Sequence, residues 1–310
     1  MPVYVQNPDP RSLAERPADD LLAADTRMGA VELLVRDLDA MIAFYADGVA
    51  LDVLEQAGET AVLGRAGRPI VRMRRMPELP PRRQGQAGLF HTAVLFDDEP
   101  SLAAAVASVA RHAPRSFTGS SDHLYSQAFY FDDPEGNGVE LYTDRPRDTW
   151  ATEPHGLLKV ATNPLDPNAF LRTHLTPPVA GSSIGASAAL GHVHLQVGDI
   201  GTARDFYVDA LGFEVMSDVG SALFIAAGGY HHHIAVNTWG TAGAGPRAAA
   251  LGLGRVNIEL PTEDDVDALR KRLADHRIET RHDGAVLRFD DPWGTLIQVG
   301  VGVGVGVEQA

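Results

Sequence analysis

The chain contains no cysteine. That excludes disulfides, thiolate metal sites and a cysteine nucleophile, and it suits a reducing compartment. Positive charge is scarce as well: 26 Lys and Arg stand against 41 Asp and Glu, for a formal net charge of −15 and a pI near 5.1. Such a surface repels phosphate backbones and anionic headgroups, so no nucleic acid and no membrane is expected as a partner. No apolar run approaches the ~20 residues of a membrane span. The opening MPVYVQNPDPRSLAERPADD lacks a basic start followed by an apolar core, so a cytoplasmic location is expected. Hydrophobic residues make up 45% of the 310 and charged residues 22%, ordinary for a globular protein and enough for two domains.

What the chain has in abundance is repetition. AVELLVRDLDAMIAFYADGVALDVLEQAG (30–58) lies over HVHLQVGDIGTARDFYVDALGFEVMSDVG (192–220) without a gap. Asp37 meets Asp199, Phe44-Tyr45 meets Phe206-Tyr207, and Asp47 meets Asp209. Each copy reads as an alternating strand, an Asp cap, an amphipathic helix ending near a glycine, and a further strand. A second pair opens on GLFHTAVLF (88–96) and GLGRVNIEL (252–260). It runs through a capped helix and closes on FDDPEGNGVELYT (131–143) or FDDPWGTLIQVG (289–300). The spacing of Val266, Leu269 and Leu273 predicts a helix over Glu263–His276. The chain thus holds four βαβββ units, opening near residues 28, 88, 190 and 252. Pro, Gly and Ser clusters between the second and third mark a linker with one short helix, and the GVGVGVGVEQA tail is low-complexity.

Chemistry enters through the differences between copies. Val139 and Leu141 share one strand face, which puts Glu140 and Tyr142 on the other. Alone, Glu140 reads as a solvated surface residue, and His91, at the head of the same unit, as an ordinary structural histidine. His192 and His194 share a strand face in the third unit. Their first-unit counterparts are Ala30 and Glu32, and the fourth-unit counterparts of His91 and Glu140 are Arg255 and Gln298. The set is complete in units two and three and lost together from one and four. That points to one site where unit two meets unit three.

Two imidazoles and one carboxylate leave coordination positions open, which suits non-haem Fe(II) oxygen chemistry. Zn(II) in the same set would do hydrolytic or Lewis-acid work. SDHLYSQAFYF (121–131) adds His123 and Tyr130 nearby, and GGYHHHIAVNTW (228–239) sets His231, His232 and His233 before an apolar strand. Strand alternation would turn at least one of these three inward, where an imidazole can move protons at neutral pH. The stretches Ile70–Gln86 and Trp239–Leu251 are expected to line the pocket. The basic run Arg72, Arg74, Arg75, Arg82 and Arg83 reads as a solvated loop.

With these residues in view, the chain resembles the vicinal oxygen chelate superfamily over roughly residues 28–300. The segments DHLYSQAFYFDDPEGNGVELYTDRPRDTW, LGHVHLQVGDIGTARDFYVDALGF and GGYHHHIAVNTW are similar to extradiol ring-cleaving dioxygenases of the catechol 2,3-dioxygenase branch. The resemblance implies an α+β fold: four βαβββ modules forming two glyoxalase/extradiol-dioxygenase-like domains with curved mixed sheets. The parts are an N-terminal extension 1–27, a first domain 28–146, a linker 147–189, a second domain 190–301 and a tail 302–310. It also implies that His91, His192 and Glu140 hold Fe(II), with Mn(II) as the alternative. His192 is preferred to His194 because the family's ligand follows directly on the Gly that opens the strand. His123 matches an acid–base histidine beside the metal, and Tyr130 a tyrosine that hydrogen-bonds near the substrate. One of His231, His232 and His233 matches a histidine that helps bind substrate or oxygen.

The reaction so implied is extradiol cleavage of a catechol-type diol by O2, giving a muconic semialdehyde-type acid. A homodimer is the family-level expectation. In many extradiol enzymes the third and fourth units share the working site; here Arg255 and Gln298 occupy the fourth, so the site must join units two and three. A non-redox glyoxalase- or epimerase-like metalloenzyme shares the fold and ligand types, and a binder of aromatic antibiotics shares the fold. His123, Tyr130 and the triple histidine favour ring cleavage over the first, and the intact ligand set argues against the second.

Overall fold

The computed structural model describes residues 8–175 and 187–302. The extreme N-terminus, the centre of the linker and the Gly-Val tail lie outside the described residues. Unit one comprises β1 (Arg27–Met28), β2 (Val31–Val35), α1 (Leu38–Ala43), β3 (Asp52–Ala57), β4 (Thr60–Arg65) and β5 (Arg68–Arg75). Unit two comprises β6 (Gly88–Phe96), α2 (Glu99–His112), β7 (Phe117–Asp122), β8 (Ser126–Asp132) and β9 (Gly138–Asp144). The linker contributes β10 (Asn163–Pro164) and the expected short helix, α3 (Pro167–His174). Unit three comprises β11 (Ala188–Gln196), α4 (Ile200–Arg204), β12 (Glu214–Asp218), β13 (Ala222–Ala226) and β14 (Ile234–Asn237). Unit four comprises β15 (Gly252–Leu260), α5 (Glu263–Asp275), β16 (Arg281–His282), β17 (Val286–Asp290) and β18 (Leu296–Val301).

Local chemistry sets the helix ends. The Asp37, Asp98 and Asp199 carboxylates accept the N–H groups of Ala40, Ser101 and Thr202, and Thr262 with Asp265 forms a capping box on α5. The helices of units one and three depart from the continuous amphipathic helix that the sequence suggests. Each widens after its first turns into a π segment, Phe44–Gly48 or Asp205–Ala210. The wider turn lets the consecutive aromatics Phe44-Tyr45 and Phe206-Tyr207 all bury their rings. Arg72, Arg74 and Arg75 lie in β5 and not in a loop, which corrects the expectation from their sequence; Arg74 pairs with Glu32 and Arg75 with Glu59.

Within every unit the opening strand runs parallel to the closing one: β2 beside β5, β6 beside β9, β11 beside β14, β15 beside β18. The opening strands then meet antiparallel, β2 with β15 and β6 with β11. Two mixed sheets result, ordered β16-β17-β18-β15-β2-β5-β4-β3 and β10-β7-β8-β9-β6-β11-β14-β13-β12. Units one and four build the first, units two and three the second, in a two-domain α+β fold with curved mixed sheets. Both central pairings carry a register shift, at Leu190/His192 and at Leu253/Arg255, of the kind that bends a sheet. Alternation packs Val31 and Leu33, Val139 and Leu141, and Val193 and Leu195 into one apolar cluster with the helices. The opposite faces keep the polar set.

The two recurring motifs are physically joined. The Tyr207 hydroxyl donates to Asp291 Oδ2 at 2.8 Å, and the Tyr45 hydroxyl to Asp133 Oδ2 at 3.4 Å. Each Asp uses its other oxygen to accept N–H groups of its own turn, from Glu135 and Asn137 or from Trp293 and Thr295. The second Asp of each Asp-Asp-Pro turn thus ties its unit to the helix of the preceding one. Tyr207→Phe removes a buried bond to a carboxylate and is expected to cost about 1–3 kcal/mol. Tyr45→Phe, losing the longer contact, is expected to cost less; urea unfolding midpoints of the two variants check the order.

Candidate active site

Three strands set the site. Pairing of β6 with β11 puts His192 opposite Ala93, and pairing of β6 with β9 puts Ala93 beside Glu140. Ala93 carries only a methyl group, so the space between His192 and Glu140 stays open. His91 enters from the next row, opposite His194. Its Nε2 lies 2.9 Å from Glu140 Oε2, and His192 Nε2 lies 3.2 Å from the same oxygen. All three residues are buried, and their donor atoms lie within 4.8 Å of one another. Gly191 is needed beside them, because a Cβ there would meet the Tyr142 hydroxyl at 1.8 Å.

Burial alone pushes the Glu140 carboxyl up; the facing His192 and His91 imidazoles outweigh it and hold the group well below the usual carboxylate range. Burial pushes His192 down to about 4, the attraction of Glu140 offsetting only part of the loss. At neutral pH the set therefore holds a carboxylate beside an uncharged His192 ring. His91 Nε2 is buried without a hydrogen-bond partner despite its nearness to Glu140. An orphaned ring nitrogen beside a desolvated carboxylate is what a cation would satisfy, so the residues fit a divalent metal.

His123 follows β7. Its Nδ1 lies 2.7 Å from the Ala161 carbonyl, which can only accept, so Nδ1 carries the proton. Nε2 then accepts the Tyr130 hydroxyl at 2.7 Å. Burial lowers the His123 pKa and keeps the ring neutral, and burial raises Tyr130 well above the usual phenol value.

The three consecutive histidines precede β14 in a loop, so strand alternation does not sort them and that expectation is corrected. His232 lines the cavity, its ring centroid 4.0 Å from that of His192. His231 stands behind it, stacked on Tyr125 at 4.6 Å, and donates from Nε2 to Asp144 Oδ1 at 2.8 Å. With His231 as the neutral ring, its Nδ1 accepts from His232 Nδ1, 2.8 Å away, and His232 Nε2 is left as a bare acceptor. His233 faces elsewhere, its Nδ1 accepting the Ala227 N–H. His194 lines the cavity too, but its Nε2 is engaged by the Asn237 amide at 2.9 Å and it stands outside the converging set.

A cavity of about 370 Å³ opens over these groups, walled largely by Phe90, Tyr125, Val160, Phe224 and Trp239. Of the stretches expected to line it, Trp239–Leu251 supplies only Trp239, and Ile70–Gln86 supplies nothing because β5 belongs to the other sheet. Phe90, Tyr125 and Phe224 escaped the sequence reading, as did the linker residues Val160 and Ala161: Phe90 and Tyr125 lie inside the quoted stretches GLFHTAVLF and SDHLYSQAFYF but read there as apolar filler, and the others belong to no motif. Only the His-neighbour position of Phe90 offered a signal.

The matching face of the first sheet is filled differently. Arg255 donates from Nη1 to Gln298 Oε1 at 2.9 Å and from Nη2 to Glu32 Oε2 at 2.8 Å. Arg288, in the place of Tyr130, also donates to Gln298 Oε1, and Arg74 to Glu32 Oε1. A guanidinium of the chain itself thus supplies the positive charge there, and Asn257 fills the gap that Ala93 leaves open, its amide reaching the Ala30 carbonyl.

A model of the Glyoxalase/Bleomycin resistance protein/Dioxygenase superfamily matches residues 27–141 and 189–299. The catechol-2,3-dioxygenase of Bacillus subtilis (strain 168) is 34% identical over 278 residues, 86% of this chain and 94% of that protein. A solved structure from the same organism superposes with a TM-score of 0.64 at 13% identity, covering 92% of this chain and 87% of that one. Glyoxalase I from Zea mays superposes at 0.57 with 17% identity, over 89% of this chain and 92% of its own. At such identities the two structures speak for the fold alone.

His233 gives the region a pH signature, because burial pushes its pKa down to about 3. The unfolded chain takes up this proton near pH ~6.5, the folded chain only near the lower value. The stabilising contribution of a neutral His233 is present above that unfolded value and is lost as pH falls through the window. For metal-free protein, the unfolding free energy is expected to drop more steeply between about pH 7 and 4 in wild type than in His233→Gln. Equal slopes in urea titrations would contradict this.

Proposed function

The chain belongs to the glyoxalase/bleomycin resistance protein/dioxygenase superfamily, and on that premise we propose that it is an Fe(II)-dependent extradiol dioxygenase acting on a catechol. The observation that carries this reading is the convergence of His91, His192 and Glu140 at the base of an aromatic-walled cavity that also presents His123, Tyr130 and His232. A relative named for the same reaction aligns over most of the chain. His91, His192 and Glu140 would hold the metal, with Mn(II) as the alternative occupant. When bound there, Fe(II) supplies open positions for a diol and for oxygen and lets charge pass between them.

The remaining groups act on protons and position. Glu140 contributes one negative charge to the site and the two imidazoles none, which leaves a divalent ion net positive and able to attract an ionising diol. Tyr130 and His123 form a relay: the phenol oxygen can accept a diol proton while its own proton passes to His123 Nε2. His232 Nε2, without a proton, accepts a hydrogen bond from whatever occupies the cavity beside His192. The aromatic walls hold the ring flat and exclude water, so proximity contributes much of the rate. The overall reaction adds both atoms of O2 across the C–C bond next to the diol and needs no external reductant. Its product is a muconic semialdehyde-type acid.

Oxygen uptake by protein loaded with Fe(II) under anaerobic conditions, then challenged with catechol, tests the reading. Uptake with formation of a yellow ring-opened product is expected, and His91→Ala is expected to lose both the metal and the uptake. His123→Phe is expected to keep its iron while kcat falls about 100-fold or more. Absence of uptake from protein shown to hold iron would overturn ring cleavage, as would full activity in His91→Ala.

A further inference from the structure

The cavity carries chemical information about the substrate that the metal-binding set does not. An engineered cavity of ~150 Å³ holds a benzene ring, whereas this one measures about 370 Å³. Even with O2 beside it, a bare catechol leaves room for a ring substituent. The walls that would meet the substituent are Val160, Val219, Phe224, Trp239 and Phe90. Among the described residues no Lys or Arg lines the cavity, and Glu140 is the one carboxylate on its surface. Beyond the histidines, Tyr125, Tyr130 and Glu140, the polar lining consists of the Ser120, Ser121, Ser126 and Thr162 side chains, so a carboxylate on the substrate would meet hydroxyls at most and no cationic side chain.

The solvent-exposed part of the lining strengthens this reading. Phe90 and Trp239 are each 37% exposed, and their rings meet edge to face at 5.6 Å. Trp239 is fixed in place: its backbone N–H bonds Asn237 Oδ1, its carbonyl accepts from Gln196, and its indole N–H bonds Ser221 Oγ. Asn237 holds His194 with its other end. The solvent-exposed part of the lining is therefore an apolar edge whose Trp239 is joined through Asn237 to His194.

Building on the proposed ring cleavage, we infer that this site takes catechols bearing an uncharged, apolar substituent and discriminates against those bearing a carboxylate, with Phe90, Trp239 and the Val160–Val219–Phe224 wall as the selecting residues. Iron-loaded protein is compared on 4-tert-butylcatechol and 3,4-dihydroxybenzoate, by oxygen uptake and by anaerobic calorimetric titration. The expected preference for the alkyl compound is about 100-fold or more in kcat/KM, with binding in the same order. Val219→Arg puts a cation on a half-buried stretch of the wall and is expected to narrow that ratio about tenfold or more. Comparable binding and turnover of the two compounds by wild type would overturn the inference, as would an unchanged ratio in Val219→Arg. If neither compound consumes oxygen, ring cleavage fails, and the titration still decides the selectivity on its own.

Discussion

A carboxylate at 3% exposure organises this molecule. Taking such a charge out of water costs several kcal/mol even after relaxation, and the fold tolerates Glu140 only because two imidazoles converge on one of its oxygens. That convergence dictates much else. Ala93 must be small to leave the central space, Gly191 must lack a side chain, and β6 and β11 must pair in one register. Around this site His123 is held on the Ala161 carbonyl and His231 on Asp144. A fixed proton on each outer ring leaves His232 Nε2 as a bare acceptor and His123 Nε2 as the acceptor for Tyr130.

The repeat meets one electrostatic problem in two ways. On the second sheet a carboxylate and two imidazoles form a set that could hold a cation. On the first, Arg255 brings the cation as part of the chain and satisfies Glu32 and Gln298 directly. The pairwise change from His91 and Glu140 to Arg255 and Gln298 thus has a physical meaning. Once a guanidinium occupies the centre, imidazole is no use, and an amide oxygen serves two guanidinium donors without adding a second charge. Duplication built the scaffold; the charge at its centre separates the working face from the self-satisfied one.

Much of this could be read in the sequence because the turns, caps and alternation are local. Asp37 and Asp199 announced helix starts, the Asp-Asp-Pro turn announced the closing strands, and alternation put Glu140 opposite Val139 and Leu141. Comparison of copies named His91, Glu140 and the pair His192 and His194, and the family resemblance chose His192 from that pair. What stayed hidden depends on distant chain segments. The loop before β14 obeys no alternation, so the orientation of His231, and through it that of His232, follows from Asp144 and Tyr125, far away in the chain. The linker looked like a spacer by composition, yet its Ala161 carbonyl sets the tautomer of His123 and its Val160 walls the cavity. The π segments were also beyond reach, since they arise from the need to bury adjacent aromatics against a partner unit.

The central claim is that one face of this duplicated fold binds a catalytic divalent ion and its sibling does not. Anomalous scattering at the iron edge, from crystals grown anaerobically with Fe(II), addresses it most directly. The account predicts a single strong peak within bonding reach of His91, His192 and Glu140, and none beside Arg255. A peak on the Arg255 face, or none at Glu140 in protein shown to contain iron, would contradict it.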